Sequence, residues 1–437
     1  MGDSAYPASW YAATRDASAD RPPLAARIEA DVAVVGGGFA GLHSARLLAL
    51  QGKRVALVER HRIGWGASGR NGGFVGAGFA ERSGALIDRL GLEHTRRLYA
   101  QSQRGVALVR EAVDGLGRPD IRMGTGKLSV SRTNQGPGFT DRTRALADTL
   151  GATFEPWDTS RVRALLDTSR YHQGIHDPSS FHIHPLNFAL ALAADVEARG
   201  GTIHEGTEAT GLSREGSTWR LQTPRGEIAA SHIVLAGNAD LGRVQPRIAR
   251  AVLPVATYVA VTEKIGPRLA EAIRWAGAIS DTRRAGDYYR VIDGDRLLWG
   301  GRITTDTREP PRLREMMRGD ILSVYPQLGD IRIEYAWPGI MGYAPHKMPQ
   351  VGEIQPGLWI CSAFGGHGLA QTAAGADAVA AGILGDDSRW RLFAPFGTRW
   401  AGGPFGQAAT QLAYWSLQAR DWWDEKRQAK NAETLRT

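Results

Sequence analysis

The sequence predicts an α/β fold: a discontinuous Rossmann-type nucleotide-binding domain interrupted by a mixed-sheet domain. Three observations carry this. A strand, a glycine turn, a helix and a second strand follow one another over residues 31–59. Extended segments dominate the middle of the chain. A short buried strand, another glycine turn and a helix then return from residue 358. At 437 residues the chain is long enough for two packed domains, or for one domain inserted into another.

Taken in order, residues 1–30 read as a polar lead-in, with Pro22-Pro23 preventing a regular helix. Residues 31–35, Asp-Val-Ala-Val-Val, read as a buried strand, and the turn Gly36-Gly37-Gly38-Phe39-Ala40-Gly41 follows directly. The apolar spacing of residues 42–51 predicts a helix, Gly52 supplies its stop, and residues 54–59 give the next strand. Residues 86–113 are mainly helical, with Leu90, Leu98, Val106 and Val109 on one packed face. A turn and strand follow over residues 124–130, then helical spans to Leu150 and over residues 159–167. After His184-Pro185, residues 186–199 read as a helix. Residues 202–235 are strand-rich, and further strands lie at residues 255–261, 287–291 and 297–301. Residues 358–361 make a buried strand, Phe364-Gly365-Gly366-His367-Gly368 a turn, and residues 369–384 a helix. A tail helix within residues 406–430 carries Trp415, Leu417, Trp422 and Trp423, which cover the main core, another subunit or a membrane surface. The expected boundaries are 1–90, 185–250 and 335–390 for the nucleotide domain. Residues 91–184 and 251–334 form the second domain, and 391–437 a C-terminal helical tail.

Composition excludes several classes. Cys361 is the sole cysteine, so a disulfide framework, a Cys-ligated iron–sulfur cluster and a four-thiolate zinc site are out. His182 and His184 share a strand face without a third ligand, and no metal is expected. The net charge of +8 comes from arginines interspersed with acids, as in Asp141-Arg142-Thr143-Arg144. That pattern describes a solvated surface, and no nucleic-acid partner is expected. No run of 18 apolar residues and no secretory signal pattern occur, which points to a cytoplasmic protein without a transmembrane segment. A homo-oligomer remains open.

The first turn carries the chemistry. Gly36 permits the sharp turn, Gly38 lets backbone approach a pyrophosphate, and Gly41 lets the helix pack closely on the strand. The helix N-terminus offers N–H groups and a favourable field to phosphate oxygens. Glu59, ending the second strand, is placed to accept bonds from a ribose diol. Its charge opposes a 2′-phosphate, which favours FAD or NAD; a solvated strand end is the plainer reading. The following loop, Gly64-Trp65-Gly66-Ala67-Ser68-Gly69-Arg70-Asn71-Gly72-Gly73, is flexible and polar, with Ser68 and Asn71 suited to bonding a long cofactor. Arg70 suits three roles: holding a substrate carboxylate, stabilising a negative flavin, or bracing the loop.

These blocks, with His184-Pro185 and Phe364-Gly365-Gly366-His367-Gly368, resemble the FAD-dependent D-amino-acid oxidase superfamily, especially its gamma-glutamylputrescine-oxidase-like branch. The resemblance extends over most of residues 30–390. It implies a glutathione-reductase-like FAD fold, with Gly36, Gly38, Phe39, Ala40 and Gly41 on the ADP portion and Glu59 with Arg60 at its ribose. Ala67, Ser68, Gly69, Arg70, Asn71, Gly72 and Gly73 approach the flavin. Glu208 and Ala209 form an adenine-side wall, and Gly365, Gly366, His367, Gly368 and Leu369 a late flavin turn. His367 either approaches the ring or braces backbone. Residues 337–342 lack the cysteine that attaches FAD in some relatives, so noncovalent FAD is expected.

The resemblance also implies a reaction: hydride passes from an amine or N-substituted amino acid to flavin N5, and the imine hydrolyses. Oxygen then reoxidises the flavin to give hydrogen peroxide. With another electron acceptor, the same half-reaction belongs to a secondary-amino-acid dehydrogenase; a non-catalytic flavin redox protein is a third reading. Polyamine conjugates, pipecolate-like and sarcosine-like acids and opines are all candidate substrates. Tyr258, Tyr289 and Trp337 suit an aromatic cage for the amine, or core packing. His346 suits tuning of amine protonation, or a surface loop. Lys347 and Arg302 are candidate positive charges for oxygen.

Overall fold

The computed structural model describes residues 5–242, 244–283 and 286–434. The chain divides into two compact units. The first comprises Met1–Arg122, His184–Pro254 and Ile340–Gly403; the second comprises Met123–Ile183, Val255–Gly339 and Pro404–Thr437.

In the first unit five strands run parallel, in the order Leu358–Ser362, Glu227–Leu235, Arg27–Val35, Val55–Val58 and Thr202–His204. Their apolar runs are buried on both faces: Val34 meets the helix Phe39–Leu50 on one, and Ala33, Val35, Ile233 and Leu235 join Trp219, Leu221, Leu241 and Ile248 in a core on the other. Gln350–Gln355 pairs antiparallel at one edge, and the hairpin Gly211–Glu215 with Thr218–Gln222 adds to the start of Glu227–Leu235. The chain leaves Arg27–Val35 toward one neighbour and later reaches the other side with Glu227–Leu235. Its carboxyl end is therefore a topological switch point, where open α/β sheets bind ligands.

The helix Leu92–Gly115 belongs to this unit, whereas the sequence predicts residues 91–122 in the second domain. A Cβ on Gly105 would lie 2.1 Å from the Ala370 carbonyl oxygen and 2.9 Å from the Ala374 Cβ. This helix therefore packs backbone-close on Gly368–Ile383, and Gln101 Nε2 bonds the Ala374 carbonyl at 2.9 Å. The apolar spacing announces a packed face but not its partner.

The N-terminal segment is more than a polar lead-in. Ser9 caps the short helix Trp10–Ala13, accepting from the Ala12 N–H at 3.1 Å. Trp10 and Tyr11 are buried with their ring centroids 5.4 and 5.0 Å from that of His184. Further along, the Leu24 amide bonds Thr207 Oγ1 at 3.0 Å.

In the second unit the sheet includes, in order, Leu253–Thr262, Arg296–Thr304, Tyr288–Ile292, Ala278–Asp281, Arg122–Val130 and Gly174–Ile183. It is mixed: Ala278–Asp281 runs parallel to Arg122–Val130 and antiparallel to Tyr288–Ile292. Leu128, Ile279, Leu297 and Trp299 join one core with Val162, Leu269, Met317 and Ile321 from the helices Thr159–Leu165, Pro267–Ala272 and Leu313–Val324. Among the described residues no helix is long and apolar enough to cross a membrane.

Candidate functional site

The glycine turn sits at the carboxyl ends of the parallel strands. The Gly36 amide donates to the Val58 carbonyl at 2.9 Å, and its φ of +111° is one that side chains rarely adopt. A Cβ there would lie 2.7 Å from the Ala236 oxygen, and one on Gly41 would lie 1.9 Å from the Gly36 oxygen. Turn and helix are thus locked together. Gly38 is the N-cap of Phe39–Leu50, and the Phe39 amide donates to Ser68 Oγ at 2.9 Å. A Cβ on Gly38 would meet only the Ser68 side chain. The cradle therefore has room for an anion at the first turn, where helix N–H groups lack intrahelical partners. These residues fit the diphosphate of FAD.

Glu59 reaches back to that turn. Its Oε2 accepts from the Gly37 amide and its Oε1 from the His61 amide, both at 2.7 Å. Burial raises its pKa, while those two amide bonds act to lower it. Each carboxylate oxygen keeps a further lone-pair direction for a ribose hydroxyl. Arg60 is exposed, 3.4 Å from Asp240, and His61 stacks on Trp65 at 4.0 Å.

The loop over residues 64–73 is braced largely by itself. Ala67–Gly69 forms a 3-10 turn; a Cβ on Gly69 would lie 2.3 Å from the Gly64 oxygen. Asn71 Nδ2 donates to the Ala67 and Ser68 carbonyls at 3.0 and 2.8 Å, and its Oδ1 accepts from the Gly73 amide at 2.8 Å. Gly72 and Gly73 lead into the strand Phe74–Val75. Arg70 Nε donates to the Gly66 carbonyl at 3.3 Å, and its guanidinium lies 4.9 Å from the Trp65 ring centroid. Further along the chain, Glu208 is half-buried and Ala209 joins the sheet core.

The late turn is held by a residue the sequence reading misses. Tyr343 Oη accepts from the Gly366 amide at 3.0 Å, and a Cβ on Gly365, at φ +62°, would lie 2.8 Å from the Tyr343 ring. No local motif announces this contact, which joins residues 23 apart. His367 is exposed at the N-cap of Gly368–Ile383, Gly368 has open space around it, and Leu369 is buried. His346 accepts from the Met348 amide on Nδ1 at 3.2 Å, which leaves Nε2 as the donor to the Gly397 carbonyl at 3.1 Å. Burial lowers its pKa, so the ring is the neutral tautomer at pH 7. Lys347 is exposed at φ +57°.

In the second unit Tyr289 stacks on Trp299 at 4.3 Å and shares a 2.8 Å hydrogen bond with Tyr325. Tyr289 and Tyr258 both lie in the helix-covered core, and Trp337 is buried as well. Arg302 pairs with Asp320 through two hydrogen bonds, at 2.6 and 2.9 Å. Strand alternation puts Lys127, Ser129, Ser280, Tyr288 and Arg290 on the opposite face. There the Arg290 guanidinium lies 2.6 Å from His182 Nδ1 and donates to the Ile183 carbonyl at 2.9 Å, and burial lowers the Lys127 pKa. The sequence announces none of these five as a site residue.

Comparison with known proteins gives the chain's relatives. The family model described as FAD dependent oxidoreductase matches residues 31–381. The chain is similar to gamma-glutamylputrescine oxidoreductase of Escherichia coli K12, 31% identical over 421 residues that span 94% of this chain and 98% of that protein. It is also similar in structure to glycine oxidase from Geobacillus kaustophilus, with a TM-score of 0.69 and 22% identity over 85% of this chain and 98% of that one. L-Proline dehydrogenase from P. horikoshii gives a TM-score of 0.69 and 20% identity over 86% and 100%. At these identities the two solved structures bear on the fold alone.

Proposed function

The chain belongs to the family of FAD dependent oxidoreductases, and from that premise we propose that it is an oxidase of an amine or N-substituted amino acid. The observation that carries this reading is the match to gamma-glutamylputrescine oxidoreductase along nearly the whole of both chains. An acylated polyamine is accordingly the first candidate substrate. When bound, FAD would supply the acceptor for a hydride from the carbon next to nitrogen, the amine also losing its N–H proton to become an imine that water hydrolyses, and oxygen would take the electron pair with two protons as hydrogen peroxide.

The chain's own residues hold and orient. Gly36, Gly38, Phe39, Ala40 and Gly41 cradle the diphosphate, and Glu59 takes the ribose with Arg60 at the rim. Glu208 and Ala209 wall the adenine side. Residues 67–73 follow the cofactor as a pre-braced loop, and Gly365, Gly366, His367, Gly368 and Leu369 meet its far end, set by the Tyr343 hydroxyl. Binding is noncovalent on this reading. Its support is that Cys361 is fully buried in Leu358–Ser362, with its thiol pushed up to about 12 by burial. Lys127 and Tyr288 are assigned to the substrate side in place of Tyr258 and Tyr289, whose rings pack in the core. Lys347 remains the candidate cation for oxygen, because Arg302 is committed to Asp320.

Anaerobic screening for flavin bleaching tests this, across glutamyl-polyamines, polyamines, pipecolate, proline, sarcosine and opines. Bleaching by an amine, followed by stoichiometric peroxide on admitting air, is the expected result. Bleaching without peroxide moves the reading to a dehydrogenase. Reduction by alcohols but by no amine overturns it.

A further inference from the structure

The helix Gly403–Thr434 docks the wrong way round for a surface helix. Such helices ordinarily bury an apolar stripe and show water a polar one. Within the second unit this one is anchored mainly by polar groups. Gln411 Oε1 accepts from Thr304 Oγ1 at 2.8 Å and from the Thr305 amide at 2.9 Å, and the Gln407 carbonyl accepts from Thr305 Oγ1 at 3.1 Å. Fourteen residues on, the Glu425 carboxylate lies 3.3 Å from Arg132, 3.5 Å from Arg283 and 3.7 Å from Arg170. The outward face carries Phe405 (85% exposed), Leu412 (62%), Trp415 (58%), Trp422 (56%) and Trp423 (66%). With about 150–250 Å² for each fully buried aromatic ring, roughly 600 Å² of apolar surface points away from the unit. That is at the upper end of what a monomer shows, and approaches the ~800 Å² per partner of a stable interface.

The order of residues along that face selects the occupant. Phe405, Ala408, Leu412, Trp415, Ala419 and Trp422 recur at alternating spacings of three and four, the seam of a two-helix coiled coil. The seam also reads alike from both ends. An antiparallel partner about a two-fold axis between residues 413 and 414 sets Phe405 against Trp422, Ala408 against Ala419, and Leu412 against Trp415. Large meets large and small meets small, as an isologous interface requires. Residues 403–419 carry no charge, so the overlap brings no like charges together. We infer that this helix pairs antiparallel with its copy in a second chain, making the protein a homodimer through its C-terminal arm. A membrane surface needs no such palindrome, and the helix carries no net positive charge of the kind that favours anionic lipid, since Asp421, Asp424, Glu425 and Glu433 offset Arg420, Lys426, Arg427 and Lys430.

Two measurements on the full-length FAD-loaded protein decide it. Sedimentation equilibrium at micromolar concentration is expected to give twice the chain mass for the wild type. The single chain mass is expected for Trp415→Glu/Trp422→Glu, with unchanged flavin absorbance and far-ultraviolet dichroism. The register is read separately with near-native variants. A chain carrying both Ala408→Cys and Ala419→Cys is expected to form covalent dimers on mild oxidation, while either change alone leaves monomers. The reason is length: residues 408 and 419 are about 16 Å apart along one helix, beyond the ~7 Å that a disulfide spans between Cα atoms. A wild type of single chain mass, including one that sediments only with phosphatidylglycerol vesicles, overturns the inference. A dimer that survives both Trp changes and gives no crosslink in the double-Cys chain does so too.

Discussion

At the scale of single residues, the site works by leaving atoms out. Gly41 matters because the Gly36 carbonyl occupies the space where its Cβ would be, at 1.9 Å. Gly41→Ala must therefore push the helix off the turn. Overpacking of this kind takes about 1–3 kcal/mol, and here it falls on the cradle itself. The purified variant is expected to lose roughly ten- to a hundredfold in FAD affinity, read as a lowered 450 to 280 nm absorbance ratio with the far-ultraviolet dichroism retained. Tyr343 makes the opposite case, one oxygen placed from a distance. Tyr343→Phe keeps the ring against Gly365 and removes only the acceptor for the Gly366 amide. The loss expected is about 1 kcal/mol, a several-fold weaker FAD dissociation constant, with the melting temperature of the apoprotein little changed.

At the scale of elements, the same economy of atoms joins helix to helix. Leu92–Gly115 crosses Gly368–Ile383 at Gly105, and the latter helix begins directly after the late glycine turn. Gly105→Ala places a methyl 2.1 Å from the Ala370 oxygen, so the two helices must separate. In an isolated helix, alanine would be the better residue by about 1 kcal/mol. Tertiary packing reverses that sign here, and a fall of about 1–3 kcal/mol is expected in urea unfolding. A rise in stability would mean that the two helices do not meet at this point. The N-terminal segment teaches a related lesson. Its composition is polar, yet Trp10 and Tyr11 are among its most buried residues because His184, far along the chain, supplies their packing surface.

At the scale of the whole molecule, buried histidines couple stability to pH. Burial depresses His43 and His182 to about 3, with Arg46 and Arg290 adding to the effect. An unfolded histidine titrates near 6.5, so below that pH the unfolded chain binds protons that the native one refuses. Each therefore contributes stability that is present above about pH 6.5 and lost as the pH falls. At pH 5 this amounts to about 2 kcal/mol per histidine. Asp287 acts with the opposite sign: burial, then Asp281, raise it to about 7, so its contribution is lost as the pH climbs from about 4 to 7. The clean test is a difference. His43 lies among Phe39 and Phe188, and its Nε2 is buried without a hydrogen bond. His43→Leu is expected to gain stability over the wild type as the pH falls from 7 to 5. Parallel profiles for the two would remove His43 from the account.

What could be read without coordinates was whatever depends on neighbours in the chain. The glycine turn, its flanking strands and helix, and the acidic end of the second strand lie within thirty residues. Their chemistry is local, and so the dinucleotide fold and the cofactor class were legible. Tertiary structure alone decided which side chains share a place. It bonded Tyr343 to a turn 23 residues away, set Lys127 and Tyr288 on one sheet face with Tyr289 on the other, and packed Leu92–Gly115 into the first unit. Strand residues alternate faces with a period of two, so an aromatic run such as Tyr288-Tyr289 always offers one ring to each side. Which side is core depends on helices from elsewhere in the chain, and no spacing within the strand encodes that.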